Sequence, residues 1–137
     1  MADAALRVRL LSGRIENAGE LRASLRGPAP DDDEGLLAVL LEEQGPAGLA
    51  RVAGGFALVA ETADRRRTLL ARDPWSLQEL HWARRHGRVE AAVGPRPLLA
   101  ESVEPDAGAV LEWLVYRQVL PPRTLFRGVA AVAPGVA

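Results

Sequence analysis

The mostly apolar run GFALVAET, residues 55–62, constrains the fold more than any other feature of this chain. A run of this kind is typical of a strand buried on both faces. Three more short runs follow, TLLAR, LHWAR and RVEAAVG, separated by polar turns. The pattern predicts an antiparallel β-meander over residues 54–94.

The segments on either side of this meander predict helices and two further strands. ALRVRLLSG alternates, which predicts a strand with Leu6, Val8 and Leu10 on one face. Asn17, with Glu20 three residues on, has the form of a helix cap, and a second helix begins at the acidic run before EGLLAVLLEEQG. AGAVLEWLVYRQ predicts a third helix with an apolar packing face, and TLFRGVAAV predicts a last strand. The result is an α+β fold.

Composition excludes several classes of protein. The 137 residues contain no cysteine and carry a formal net charge of −1. Disulfides, thiolate sites and a general attraction to nucleic acid or anionic membranes are therefore not expected. The N-terminal residues have no long apolar core, so we expect a cytoplasmic protein without a membrane segment. The acidic run 31–33 is interpreted as a capped helix start, not a metal site, and no cofactor is expected.

Three stretches together carry a family resemblance. SGRIENAGELRASL resembles a strand-turn-helix built around Asn-Gly-Glu, and DDDEGLLAVLLEEQG with the following meander resembles a helix and an Ala-Arg-Asp hairpin. PDAGAVLEWLVYRQVLPPRTLFRGVAAVAPG resembles a closing helix and strand. In this order they resemble the N-terminal glutaminase domain of glutamine-dependent asparagine synthetases, a class II glutamine amidotransferase domain.

The resemblance implies a partial N-terminal-nucleophile hydrolase (αββα) fold with an antiparallel meander and flanking helices. It implies one glutaminase-like domain over residues 1–137, without the synthetase domain and without the family domain's N-terminal portion. It also implies that Arg72 and Asp73 form a structural charge pair at a strand end, and that Trp75 covers the turn after it.

The same resemblance implies which residues line a glutamine pocket, and where this chain departs from the family. The substrate-binding positions correspond to Ser12, Gly13 and Asp32, but Ser12 replaces an asparagine and Arg14 replaces a glutamate. The family's nucleophile is a cysteine whose own α-amino group is the base. Here Ala2 follows Met1. We therefore expect no catalytic residue in this chain.

Two functions remain open from the sequence. The first is a catalytically degenerate, cytoplasmic docking subunit for a separate ATP-dependent synthetase-type partner, or one that self-associates through an apolar sheet face left exposed. The second is a fragment of a glutamine-hydrolysing asparagine synthase, or a subunit that completes the pocket of one.

Overall fold

The computed structural model of the chain describes residues 6–101 and 103–135. The backbone divides into two compact units. The first contains the described residues as far as Gln78, together with Pro134 and Gly135, and the second runs from Glu79 to Ala133. The expected α+β composition is confirmed, since each unit contains antiparallel strands and helical segments.

The first unit is a three-stranded sheet covered by helices. Its elements are β1 (Leu6–Gly13), α1 (Ala18–Ser24), α2 (Asp33–Gln44), a 3₁₀ helix (Pro46–Arg51), β2 (Phe56–Thr62) and β3 (Thr68–Arg72). The strands are antiparallel in the order β1-β2-β3. The alternation in β1 predicted its buried face correctly, because Val8 is buried and Leu6 and Leu10 pack on the core while the arginines between them are exposed.

Helix α2 supplies four leucines to the first unit's core. Its buried residues are Leu36, Leu37, Leu40 and Leu41, and they belong to one cluster with side chains of β1 and β2. Burying four leucines stabilises the fold by roughly 6–12 kcal/mol before the opposing entropy is counted. The helix ends at Gly45, which adopts a positive φ of 65° and donates its N–H to the carbonyl of Leu41.

The second unit contains β4 (His81–Arg85), β5 (Arg88–Ala92), a 3₁₀ helix (Arg96–Leu98), α3 (Ala107–Tyr116) and β6 (Val129–Ala131). Its sheet has the antiparallel order β5-β4-β6. Helix α3 is capped by Asp106, whose carboxylate accepts the N–H of Ala109 at 2.8 Å.

The prediction of one continuous meander over residues 54–94 is wrong. Strands β2 and β3 form a hairpin in one sheet, and β4 and β5 form a hairpin in the other. The break falls in the segment after Arg72, where Asp73 binds three backbone N–H groups, those of Trp75, Leu77 and Gln78. Since these donors are already used in a turn, they cannot extend the ladder of β3.

Two local expectations also need correction. Asn17 occupies the cap position of α1 but makes no capping hydrogen bond, because its side chain instead bridges the carbonyl of Arg51 and the N–H of Ala53. The expected exposed apolar sheet face is absent from β2, where Ala57 and Val59 are buried as fully as their neighbours. The exposed large apolar side chains of the described residues are concentrated on and after α3, so that helix is not the packing face predicted.

Candidate functional site

The predicted substrate-binding residues all lie in the first unit, on two neighbouring segments. Ser12 and Gly13 end β1, and Asp32 immediately precedes α2. Two hydrogen bonds join these segments, from the N–H of Leu10 to Glu34 Oε1 at 2.8 Å and from the N–H of Ile15 to the carboxylate of Asp33. The fold therefore places the end of the strand beside the start of the helix.

Gly13 is required by the backbone at this point. Its φ is +92°, a conformation that other L-residues rarely adopt, and a Cβ atom there would lie 1.9 Å from the carbonyl oxygen of Gly55. That same oxygen accepts the N–H of Arg14 at 3.0 Å. The strand end is thus fixed by main-chain contacts that only glycine permits.

A bulge in β1 sets the direction of Ser12. The register of β1 against β2 shifts between Leu10 and Ser12, so one extra residue is inserted just before the predicted site. The hydroxyl of Ser12 donates a hydrogen bond to the side-chain oxygen of Gln78. The backbone N–H of Gln78 in turn donates to Asp73 Oδ2 at 2.9 Å. Ser12 is therefore part of a polar chain that leads to the Asp73 turn.

Asp32 acts as the cap of its own helix. Its side chain is exposed, and its Oδ1 accepts the N–H of Gly35 at 2.7 Å. The carboxylate that reaches the loop after β1 is that of Asp33, whose Oδ2 accepts the N–H of Ile15 at 3.1 Å. Asp33, which binds the N–H of Ile15, and Gln78, which binds the Ser12 hydroxyl, were not among the predicted site residues. The acidic run pointed to the first, but the second stood in a turn with no recognisable motif.

The turn after β3 is organised by the carboxylate of Asp73. This side chain is fully buried and accepts the N–H groups of Trp75 at 3.0 Å, Leu77 at 2.9 Å and Gln78 at 2.9 Å. Its own N–H donates to the carbonyl of Phe56 at 2.9 Å. The tryptophan is 78% exposed, so its ring contributes little apolar burial to the turn that it was expected to cover.

Burial and hydrogen bonding act in opposite directions on the pKa of Asp73. Burial raises this pKa, because it disfavours the charged form, but the N–H groups of Leu77, Gln78 and Trp75 together lower it more. The net pKa lies below the ordinary value of an aspartate. Arg72 beside it is buried as well, at the end of β3. The lowered pKa favours the ionised carboxylate, and in that form the side chain accepts the three N–H groups that hold the turn.

The chemistry available at the strand end is limited. A serine nucleophile needs a base that can take its proton, and the hydrogen-bond acceptor of the Ser12 hydroxyl is a neutral amide, which cannot serve as one. Among residues 6–101 and 103–135, no group of three or more histidine or acidic side chains is placed to hold a metal ion.

Comparison with known proteins gives one clear match. The family model described as a glutamine amidotransferase domain matches residues 1–137. No curated protein matches the chain. Within the part of the chain that the structure describes, no helix combines the length and apolar character needed to cross a membrane.

Proposed function

Because this chain belongs to the family of glutamine amidotransferase domains, we propose that it is a glutaminase-like domain that has lost glutamine hydrolysis. Its role is then that of a structural subunit. It docks on a separate ATP-dependent, amide-forming synthetase-type partner, as the resemblance to asparagine synthetases suggests. The finer assignment to the asparagine synthetase type is part of this proposal.

The observation that carries the proposal is that the polar groups at the expected pocket are already occupied within the chain. The Ser12 hydroxyl is bonded to Gln78, and the Asp32 carboxylate caps α2 through the N–H of Gly35. A pocket that recognises a polar ligand by hydrogen bonds loses much of its affinity when its own polar groups are bonded to other residues. The 137 residues also contain no cysteine.

Charge at the strand end supports the same conclusion. Arg14 is exposed and follows Gly13 directly, at the position where the resemblance places a glutamate that reads the substrate's ammonium group. A guanidinium there repels that ammonium group, because like charges at short range disfavour each other. The carboxylates of Asp33 and Glu34, which bind this part of the chain, accept backbone N–H groups.

The test is to offer glutamine to the purified chain and to follow ammonia release and binding heat. We expect no ammonia and no saturable heat at glutamine concentrations on the order of 1 mM, where a ligand with a useful affinity is readily detected. A double variant, Ser12→Asn with Arg14→Glu, restores the family residues and should bind glutamine more tightly than the wild type.

Arg9→Glu is the matched control for that variant, because Arg9 is exposed on β1, the strand that Arg14 follows, and the charge changes by the same amount. It should leave glutamine binding unchanged. Hydrolysis by the wild-type chain alone would overturn the proposal. The docking role is tested by light scattering after size-exclusion chromatography, with the purified product of a neighbouring synthetase-type gene. A stoichiometric complex is expected, and separate elution of the two proteins would contradict docking.

The retained geometry of Gly13 favours a second candidate function. Its positive φ and its close approach to Gly55 admit only glycine, which is the residue that the resemblance places at this point. A partner that supplies a cysteine nucleophile could then complete a shared pocket lined by Ser12, Gly13 and Asp32. In that case ammonia release appears only in the mixture of the two proteins, which separates this candidate from a purely structural subunit.

A further inference from the structure

Helix α3 turns its apolar stripe toward solvent. Leu111 is 62% exposed, Leu114 is 55% exposed and Val115 is 62% exposed, whereas Ala109 is the one residue of the helix that is fully buried. With Ala107, the exposed leucines and valine lie at positions i, i+4, i+7 and i+8. That spacing produces a continuous stripe of the kind that normally faces a core.

The exposed apolar surface is large for a monomer. Five large apolar side chains in the stripe or just C-terminal to it are between 55% and 69% exposed: Leu111, Leu114, Val115, Tyr116 and Leu120. Together they expose on the order of 500 Å² of apolar surface, more than half of the ~800 Å² that each partner contributes to a standard protein interface. A patch of this size on a soluble domain marks an interaction site.

A groove runs beside the stripe within the second unit. Its volume is about 860 Å³, and its lining includes Trp82, Leu111, Val115, Tyr116, Leu120 and Pro121. The ion pair between Arg123 and Glu112, at 3.3 Å, neutralises the charge along this wall. The surface therefore combines the apolar stripe with the adjacent apolar groove, and it carries no unbalanced charge at its centre.

We propose that a second copy of this chain covers this surface, with the two α3 helices packed antiparallel about a two-fold axis at Leu111. In that arrangement Ala107 lies opposite Val115 of the second copy, and Gly108 lies opposite Leu114. Each pairing sets a small residue against a large one, which is the arrangement that lets two helices pack closely. The stripe is thus complementary to itself, as a two-fold interface requires.

The charges at the two ends of the helix match the same arrangement. Arg117, at the C-terminal end, lies 5.6 Å from the centre of the Trp113 ring and is exposed. Antiparallel packing brings it to the N-terminal end of the other helix, where two carboxylates lie: that of Glu104, which also pairs with Arg127 at 3.1 Å, and that of Asp106, which caps the helix. The helix dipoles also oppose each other favourably. A parallel pair would instead place the two arginines together.

The first test is sedimentation velocity over a range of protein concentrations. The wild type should dimerise reversibly. Leu111→Glu and Leu111→Lys should each weaken dimerisation by at least about 30-fold, as expected for a central anchor. Mixing these two variants should restore a dimer, because the axis places position 111 against itself. Leu77→Glu is the matched control, since Leu77 is 63% exposed and lies off the helix, and it should dimerise like the wild type.

The second test uses the absence of cysteine from the sequence. A Leu111→Cys variant then carries a single thiol, and under mild oxidation it should form a disulfide-linked dimer much faster than a Leu77→Cys variant. Circular dichroism confirms that each variant is folded. A wild type that stays monomeric at every concentration would overturn the proposal. Equal cross-linking at the two positions, or a mixture of the charged variants that stays monomeric, would also overturn it.

Discussion

Replacing Asp73 with asparagine isolates the contribution of one buried carboxylate. Its Oδ1 accepts the N–H groups of Trp75 and Leu77, and its Oδ2 accepts that of Gln78. Asparagine can keep the first two bonds through its carbonyl oxygen. Its NH₂ group, however, must then face the N–H of Gln78, so that two donors meet and one remains unsatisfied in a buried site.

The expected cost follows from these bonds. One charge-assisted hydrogen bond is lost, the other two become weaker, and a buried donor is left unpaired, which together destabilise the fold by about 2–4 kcal/mol. For a chain of this size, that lowers the melting temperature by roughly 10 °C. Urea unfolding at pH 7, monitored by circular dichroism, measures the difference in the free energy of unfolding between wild type and Asp73→Asn.

The pH dependence supplies a second and independent check. The pKa of Asp73 is lowered in the folded state, so its contribution to stability is fully present above the unfolded value near 3.9 and is lost as the pH falls through the folded value. The gap between wild type and Asp73→Asn should therefore be constant from about pH 5 to pH 8 and should shrink below about pH 4. Other carboxylates titrate in both proteins and cancel in the difference.

Asp64→Asn is the control for this experiment. Asp64 also has a lowered pKa, first because the Thr62 hydroxyl donates to it and then because the N–H of Arg66 does, but it lies exposed in a surface turn. Its replacement should change stability much less. A gap at pH 7 below about 0.5 kcal/mol for Asp73→Asn, within the range of ordinary surface substitutions, would refute the reasoning. So would a gap that persists unchanged down to pH 2.

Three further substitutions test the first unit by the same unfolding assay. Gly13→Ala should lower the free energy of unfolding by about 3 kcal/mol or more, since its Cβ would meet a backbone oxygen. In the control Gly19→Ala the new Cβ meets nothing within 4 Å, so this change should be neutral or slightly stabilising. Equal effects of the two substitutions would contradict this account. Leu40→Ala should cost about 2–5 kcal/mol, and Leu111→Ala on the exposed stripe of the monomer far less. Asn17→Ala should cost about 1–2 kcal/mol, because two loop bonds at 2.9 Å are lost, and no change would show that the bridge contributes nothing.

Local patterns predicted much of the secondary structure. The alternation in β1, the acidic start of α2 and the apolar run of β2 each correspond to an element of the structure. These signals are reliable because the period of the apolar residues, the capping chemistry and the chain-breaking glycines act over a few residues. Asp32 caps α2 as its position in the acidic run predicted.

The contacts of the candidate site could be predicted from the sequence only in part. The motif resemblance pointed to Ser12, Gly13 and Asp32, and the fold does put the end of β1 beside the start of α2. Only the structure, however, shows that the Ser12 hydroxyl is bonded to Gln78, a residue 66 positions away. Hydrogen-bond partners at that separation depend on the packing of the intervening elements, and local spacing carries no information about them.

By itself, then, the sequence determined most of the helices and strands of this protein and showed that its 137 residues contain no cysteine. The requirement for glycine at position 13 came from the tertiary structure. Tertiary structure decided how the strands are shared between two sheets and which polar groups are already satisfied. It also decided that the apolar stripe of α3 faces outward. The physical reason is the range of the forces involved. Helix and strand preferences are set by neighbouring residues, whereas strand pairing and burial are set by competition among all segments for the same core and the same hydrogen-bonding groups.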